Sequence, residues 1–355
     1  MADNGYIVLE LAPDDIYTRH SEGDFCRLPD GSILFAYSRF TQSEDDDAPS
    51  DIVGRLSRDE GETWSEPYTL IPASRHGVKN VMSLSLMNMK NGDIGMFYLI
   101  KQSPVENRVM LARSADGLHF GEAIDCQNPA RKGLYILNNQ RAERLSDGRI
   151  LLPVALHYAS MGPEGRLFNT YGECRFLCSD DDGRTWRELE GSVHCDFARS
   201  QSGLQEPGVV ELRGGSLWMY ARTDQMYQYE SFSLDGGVSW TVPQPSRFTS
   251  PQSPMKLARS PYNGALFAIW NPIPNYNGRE VTRSGWGRTP LVMARGDYDG
   301  NKWSELRTLE DDPHAGFCYP SIFFLPDGQA LVSYCAGTEQ DGSCLRRLRM
   351  RKIKL

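Results

Sequence analysis

The side chains able to do chemistry are scattered singly along this chain of 355 residues. Arg19, Glu22 and Asp24 stand near the start, and Asn138, Asn139 and Arg141 form a polar stretch. Gln205 and Glu206 precede Arg222, while Arg288 and Tyr319 lie towards the end. A guanidinium is planar and meets a carboxylate through two parallel hydrogen bonds, so the arginines suit an acidic small molecule. The net charge of −8 does not exclude such a ligand, which answers to local arginines. It does argue against nucleic acid or an anionic membrane as partner. Carboxylates can move protons, so Asp47 and Asp51 join Glu206 as candidates, while the run Glu44-Asp45-Asp46-Asp47 reads otherwise as a solvated turn.

Metal and redox chemistry find no matching pattern. The histidines, at 20, 76, 119, 157, 194 and 314, are dispersed, and the eight cysteines form no CxxC pair and no metal spacing. Reduced core thiols are expected, with neither a metal nor an organic cofactor. No apolar run of 18 residues occurs, so no membrane-spanning helix is expected. The first residues, Met1-Ala2-Asp3-Asn4-Gly5, are acidic and polar and lack the basic and apolar parts of a signal peptide. A cytoplasmic address is therefore expected; a leader removed ahead of this start would make the protein secreted or periplasmic.

What must position the dispersed side chains is a repeat. Ser179-Asp180-Asp181-Asp182-Gly183-Arg184-Thr185-Trp186 follows Ser-x-Asp-x-Gly-x-Thr/Ser-Trp, which returns at 57–64 and 233–240. Weaker copies close on Phe120 and Trp303, so the closing aromatics stand 54 to 66 residues apart. Its physical content is a stapled turn: the Asp carboxylate accepts from turn amides, Gly supplies positive φ, and the aromatic packs beneath. Between boxes the sequence alternates with period two around turns at Asp30-Gly31, Asn91-Gly92, Asp147-Gly148, Gly214-Gly215, Asn263-Gly264 and Asp327-Gly328. Six hairpins predict an all-β, six-bladed β-propeller filling residues 1–355 as one domain. Tyr6 to Leu11 precedes any hairpin and is expected to pair with the last blade, removing an exposed edge. No helical period is visible. In such a ring the first strand of each hairpin faces the axis, where most of the polar candidates fall.

The box resembles the Asp-box (BNR) repeat of the sialidase superfamily, whose propellers carry it on the outside, away from the active site. That family holds a substrate carboxylate with an arginine triad, attacks with a Tyr paired to a Glu, and uses an Asp in a blade-one loop as acid and base. Its Glu lies in an E-x-x-V-V-E-L-x-x-G strand; here Glu206-Pro-Gly-Val-Val-Glu211-Leu-Arg-Gly-Gly matches, and Arg222 follows Glu206 by the family's 16 residues. Arg288-Thr-Pro-Leu-Val-Met-Ala294 is similar to the strand carrying another triad arginine, 31 residues before Tyr319, and Tyr319-Pro-Ser-Ile is similar to the nucleophile strand. The family's Arg-Ile-Pro at the start of blade one is replaced by Arg19-His20-Ser21; Arg19 is the nearest counterpart and Arg27 the alternative. For the acid/base, Asp47 in Asp47-Ala48-Pro49 is preferred and Asp51 is the alternative.

The resemblance implies a retaining exo-glycosidase that releases a terminal sialic acid or related ulosonic acid through a Tyr nucleophile. Glu22, Asn138, Asn139, Arg141 and Gln205 would line the sugar beside the arginines. Two other readings stay open: a propeller hydrolase or lyase acting on another acidic sugar such as a uronic acid, and a non-catalytic glycan-binding propeller. Each takes an acidic sugar or sialylated glycan as partner.

Overall fold

A computed structural model describes residues 4–128, 130–279 and 285–355. It holds six antiparallel sheets, each a blade of a propeller, as the hairpin count predicts. Blade one is Tyr17–Arg27, Ile33–Thr41, Ser50–Ser57 and Tyr68–Ile71, from the axis outwards. Blades two to five repeat the pattern from their inner strands Val81–Asn88, Leu134–Ile136, Gln205–Glu211 and Lys256–Arg259. Blade six runs Cys318–Phe324, Gln329–Cys335, Leu348–Lys354 and then Tyr6–Leu11, so the first strand closes the last sheet as expected. The inner strand of blade six packs on that of blade one, completing the ring. The helical pieces among the described residues are short 3₁₀ turns alone.

The second strand of each blade is covered on both faces, which is why it reads as an almost unbroken apolar run. Ile33, Leu34, Phe35, Ala36 and Tyr37 are all buried. The core divides into a hydrophobic cluster at each contact between neighbouring blades.

The boxes supply those interfaces. Ser179 Oγ donates to Asp181 Oδ1 at 2.8 Å and accepts from the Gly183 amide at 2.8 Å; Asp181 in turn accepts from the Thr185 amide and hydroxyl. The same bonds recur at Ser57/Asp59 and Ser233/Asp235. The aromatic does not simply sit beneath its own turn. Trp186 joins the cluster between blades two and three, Trp240 that between three and four, and Phe120, Trp303 and Trp64 the equivalent clusters. The box glycine meets the same neighbour: at Gly183, φ is +85° and a Cβ would lie 2.6 Å from Leu111 of blade two. Each box is thus a wedge against the preceding blade.

A second repeated feature lies at the axis. Glu22, Ser83, Gln140, Glu206 and Tyr319 all have positive φ, between 50° and 59°, although none is glycine. They fall on blades one, two, three, four and six, and four of them sit where the strand register shifts. Such bulges re-aim side chains, and a non-glycine residue held there stores about 1–3 kcal/mol of strain. In blade three the bulge is wide enough to split the inner strand into Leu134–Ile136 and Glu143–Arg144, leaving Asn138 and Asn139 outside it.

Candidate active site

Two of these bulges aim at each other. Glu206 is the second residue of its strand and Tyr319 the second of its own, on blades four and six, and Tyr319 Oη donates to Glu206 Oε1 at 2.7 Å. Arg222 ends the strand beside Glu206 and is placed by register, since its Cα neighbour is Gln205. Its Nη1 donates to the same Glu206 oxygen at 2.8 Å. Arg288 stands in the turn before Leu291–Gly296, not on the strand itself, and its carbonyl accepts from the Phe317 amide and Asn271 Nδ2. These four residues, with Asp46, Ile136, His157, Phe168, Gln205, Cys344 and Leu345, line a cavity of about 250 Å³.

The cavity is electrostatically incomplete. Arg288 is 3% exposed and has no carboxylate partner among the described residues; its guanidinium donates to Cys318 Sγ at 3.3 Å and to the Gln252 carbonyl at 3.4 Å. Arg288 Nε, Arg222 Nε, Glu206 Oε2 and His157 Nδ1 are buried without a hydrogen-bond partner. Buried polar atoms are rarely left so, and four around one cavity mark a place built for a polar ligand. Burial, followed by the Glu206 charge, pushes the Tyr319 phenol well above its usual range, against the opposing pull of Arg222 and Arg288. Tyr319 is therefore a neutral phenol at neutral pH, with a carboxylate in place to receive its proton. At the blade-one side, Arg19 is fully buried and its Nη1 donates to Asp46 Oδ1 at 2.6 Å, while Nη2 donates to Glu22 Oε1 at 3.0 Å. Desolvation among its neighbours raises the Asp46 carboxyl, but the Arg19 and Lys101 charges and the Arg19 hydrogen bond together hold it below the usual carboxylate range, the more readily because its side chain is still 61% exposed. Burial carries Glu22 up to about 7 despite Arg19.

A family model described as a BNR repeat-like domain matches residues 31–332, most of the chain. The chain belongs to the BNR repeat-like family. An anhydrosialidase of Macrobdella decora is 30% identical over 170 residues, covering 46% of this chain and 21% of that protein. A sialidase of Micromonospora viridifaciens is 23% identical over 347 residues, covering 87% of this chain and 48% of its own. The chain thus spans half or less of the length of these curated relatives. Among solved structures, the Hadza microbial sialidase Hz136 superposes with a TM-score of 0.75 at 17% identity, covering 99% of this chain and 68% of that one. At that identity the likeness speaks for the fold.

Of the residues singled out in the sequence of this BNR repeat-like protein, Glu206, Arg222, Arg288, Tyr319 and Gln205 line the cavity together. Arg19 and Glu22 stand behind Asp46, with Glu22 held by Ser83 Oγ as well as by Arg19. Arg27, the alternative to Arg19, is turned outwards and pairs with Glu60. Asp47 and Asp51 are not in the cavity. Asp47 points to the surface, where it pairs with Lys101 at 2.7 Å and with Arg166 at 3.1 Å, and Asp51 accepts from the Ala73 amide. The loop turns so that Asp46 faces inwards. Asn138, Asn139 and Arg141 do not line the cavity either. Asn139 Nδ2 donates to the Gly23 and Tyr319 carbonyls, bracing the Tyr319 bulge, and Arg141 donates to Tyr220 Oη and the Met255 carbonyl within the core. Buried Asn138 instead accepts, through its carbonyl, from Ser85 Oγ. Sequence reasoning missed Asp46, one position from its choice, and also Ile136, His157, Phe168, Cys344 and Leu345. His157 and Phe168 come from the long blade-three hairpin Ile150–Gly162 and Gly165–Ser179, whose tip reaches blade one through Arg166 and Asp47. Their apolar neighbours carry no signal that separates them from core. Among the described residues no group of three or more His, Cys, Asp or Glu could hold a metal ion.

Proposed function

We propose that the protein is a retaining exo-glycosidase of the sialidase type, acting on a terminal sugar whose anomeric carbon bears a carboxylate. The observation that carries this reading is the Tyr319–Glu206 hydrogen bond set beside Arg222 and an Arg288 guanidinium without a carboxylate. An anomeric carboxylate repels a carboxylate nucleophile, and a neutral phenol activated by a base avoids that repulsion. Arg222 and Arg288 hold the substrate carboxylate, fixing charge in a site screened from water. Tyr319 Oη attacks the anomeric carbon as its proton passes to Glu206, and the bond to the leaving oxygen breaks. Asp46, in place of Asp47 or Asp51, protonates that oxygen and then takes a proton from the water that releases the sugar. Asp46 begins paired to Arg19, and a substrate carboxylate brought into the cavity near it raises its affinity for a proton.

One observation favours a narrower acidic sugar, such as a uronic acid: Arg19 is occupied by Asp46 and Glu22, which leaves two arginines on the cavity wall. Turnover of a fluorogenic sialoside against uronate-capped oligosaccharides separates the two.

The test of the mechanism is Tyr319→Phe, which removes the nucleophilic oxygen and little else. Turnover should fall about a thousandfold or more, on the order of 4 kcal/mol in barrier, with substrate affinity little changed. A fluorinated sugar-acid analogue should leave its adduct on Tyr319 in a peptide digest. An adduct on another residue, or full activity of Tyr319→Phe, sinks the reading.

A further inference from the structure

Behind the cavity wall three cysteines of blade six meet. Cys318 lies on the inner strand, Cys335 opposite it on the next strand, and Cys344 in the loop that follows. Cys318 Sγ and Cys344 Sγ are 3.7 Å apart, and Arg288 Nη1 reaches both, at 3.3 Å and 4.0 Å. The glycosidase mechanism uses none of these thiols. All three are buried, and Cys344, at 1% exposure, is the one on the cavity wall, so the pair stands one side chain away from a solute in the cavity. A disulfide needs the two sulfurs at about 2.05 Å, an approach of about 1.7 Å from where they stand.

We propose that Cys318 and Cys344 form a modification site for peroxides, which convert the pair to a disulfide inside the cavity wall. A thiolate is the reacting species. Burial pushes the Cys318 thiol up, but hydrogen bonds from Cys335 and Cys344 and the Arg288 charge outweigh it, and the group is held well below the usual thiol range. The Cys318 sulfur attacks one peroxide oxygen; the O–O bond breaks, giving a sulfenic acid and a hydroxide that leaves as water. The Cys344 sulfur then displaces the sulfenic hydroxyl, which leaves as a second water once the Cys344 proton is transferred. Two thiols lose two electrons in all, and hydrogen peroxide is reduced to two waters. Cys318 immediately precedes Tyr319, and both sulfurs are Arg288 contacts, so closing the bond shifts the nucleophile and the carboxylate clamp together.

The test treats the intact protein with hydrogen peroxide and maps its peptides without reduction. The expected result is a Cys318–Cys344 linkage, a loss of two titratable thiols and recovery of both with dithiothreitol. Turnover of an acidic glycoside should fall at least tenfold on oxidation and return on reduction. In Cys344→Ala, or in Cys344→Ser if that variant does not fold, peroxide should give no linkage and leave a Cys318 sulfenic acid that a sulfenic-acid probe labels, while Cys335→Ala should still form the linkage. A Cys318–Cys335 bridge, oxidation of other cysteines ahead of this pair, or eight free thiols after treatment overturns the proposal. The mapping decides it even if no glycoside is turned over.

Discussion

At the scale of single residues, the site is defined by what is left unpaired. Removing a charge from water without a partner costs several kcal/mol, so an arginine as buried as Arg288 implies an anion in the working state. Asp46 and Asp47 make the converse case, since adjacent carboxylates of the same type have opposite fates. One faces the cavity and Arg19, and the other is pinned outside by Lys101 and Arg166. Asp46→Asn should lower kcat about a hundredfold or more on a glycoside with a poor leaving group, and less on an activated aryl glycoside that needs no proton. Asp47→Asn should stay within about threefold on both. Equal losses in the two variants, measured as kcat on both substrates, would return the acid/base role to the outer loop position.

At the scale of elements, the box and the axial bulge divide the labour. The box stiffens the outer turn and drives an aromatic into the preceding blade; the bulge trades strain for side-chain aim. Trp240 stacks on Phe176 of the neighbouring blade with ring centroids 4.4 Å apart, and its indole NH donates to the Gly237 carbonyl at 3.1 Å. Trp240→Ala removes that contact and leaves a gap between two rigid sheets that collapse poorly. A loss of about 3–5 kcal/mol is expected in chemical denaturation. Because the wedge is remote from the cavity, KM for substrate should be unmoved in the folded fraction. A loss under about 1 kcal/mol would show that the blades are held without their wedges.

For the whole molecule, closure and charge matter most. Tyr6–Leu11 completes blade six, and Glu10 pairs with Arg349 of the adjoining strand and with Arg347 just before it, so the first and last strands are tied in one sheet. The box carboxylates set part of the acid limit of the ring. Burial raises Asp181, but the Thr185 hydroxyl and amide outweigh it and bring it to about 2; the Ser239 hydroxyl and amide bring Asp235 to about 2 as well. Both lie below the ordinary value of 3.8, so the folded state prefers the charged form. Their stabilisation is present above that ordinary value and is lost as pH falls towards 2. The thermal midpoint should therefore drop between pH 5 and pH 2.5, and the drop should be smaller in the Asp181→Asn, Asp235→Asn double variant. An equal drop in that variant would place the acid sensitivity elsewhere.

The sequence by itself determined the architecture, because a propeller is written locally. Each box and each Gly turn is satisfied within a few residues, and repetition of such units leaves only a ring as a way to bury both faces. It also carried Glu206 with Arg222, since two adjacent strands of one hairpin fix their spacing. Tertiary structure alone decided what depends on contacts between blades. Which of four consecutive acids turns inwards depends on Arg19, buried two strands away, and on Lys101 and Arg166 drawing Asp47 outwards. That Asn139 and Arg141 brace the core and not the ligand follows from partners on blades one, four, five and six. The positive φ at Glu206 and Tyr319 left no mark in the sequence, because a residue needed for its side chain cannot be replaced by the glycine that would announce the conformation.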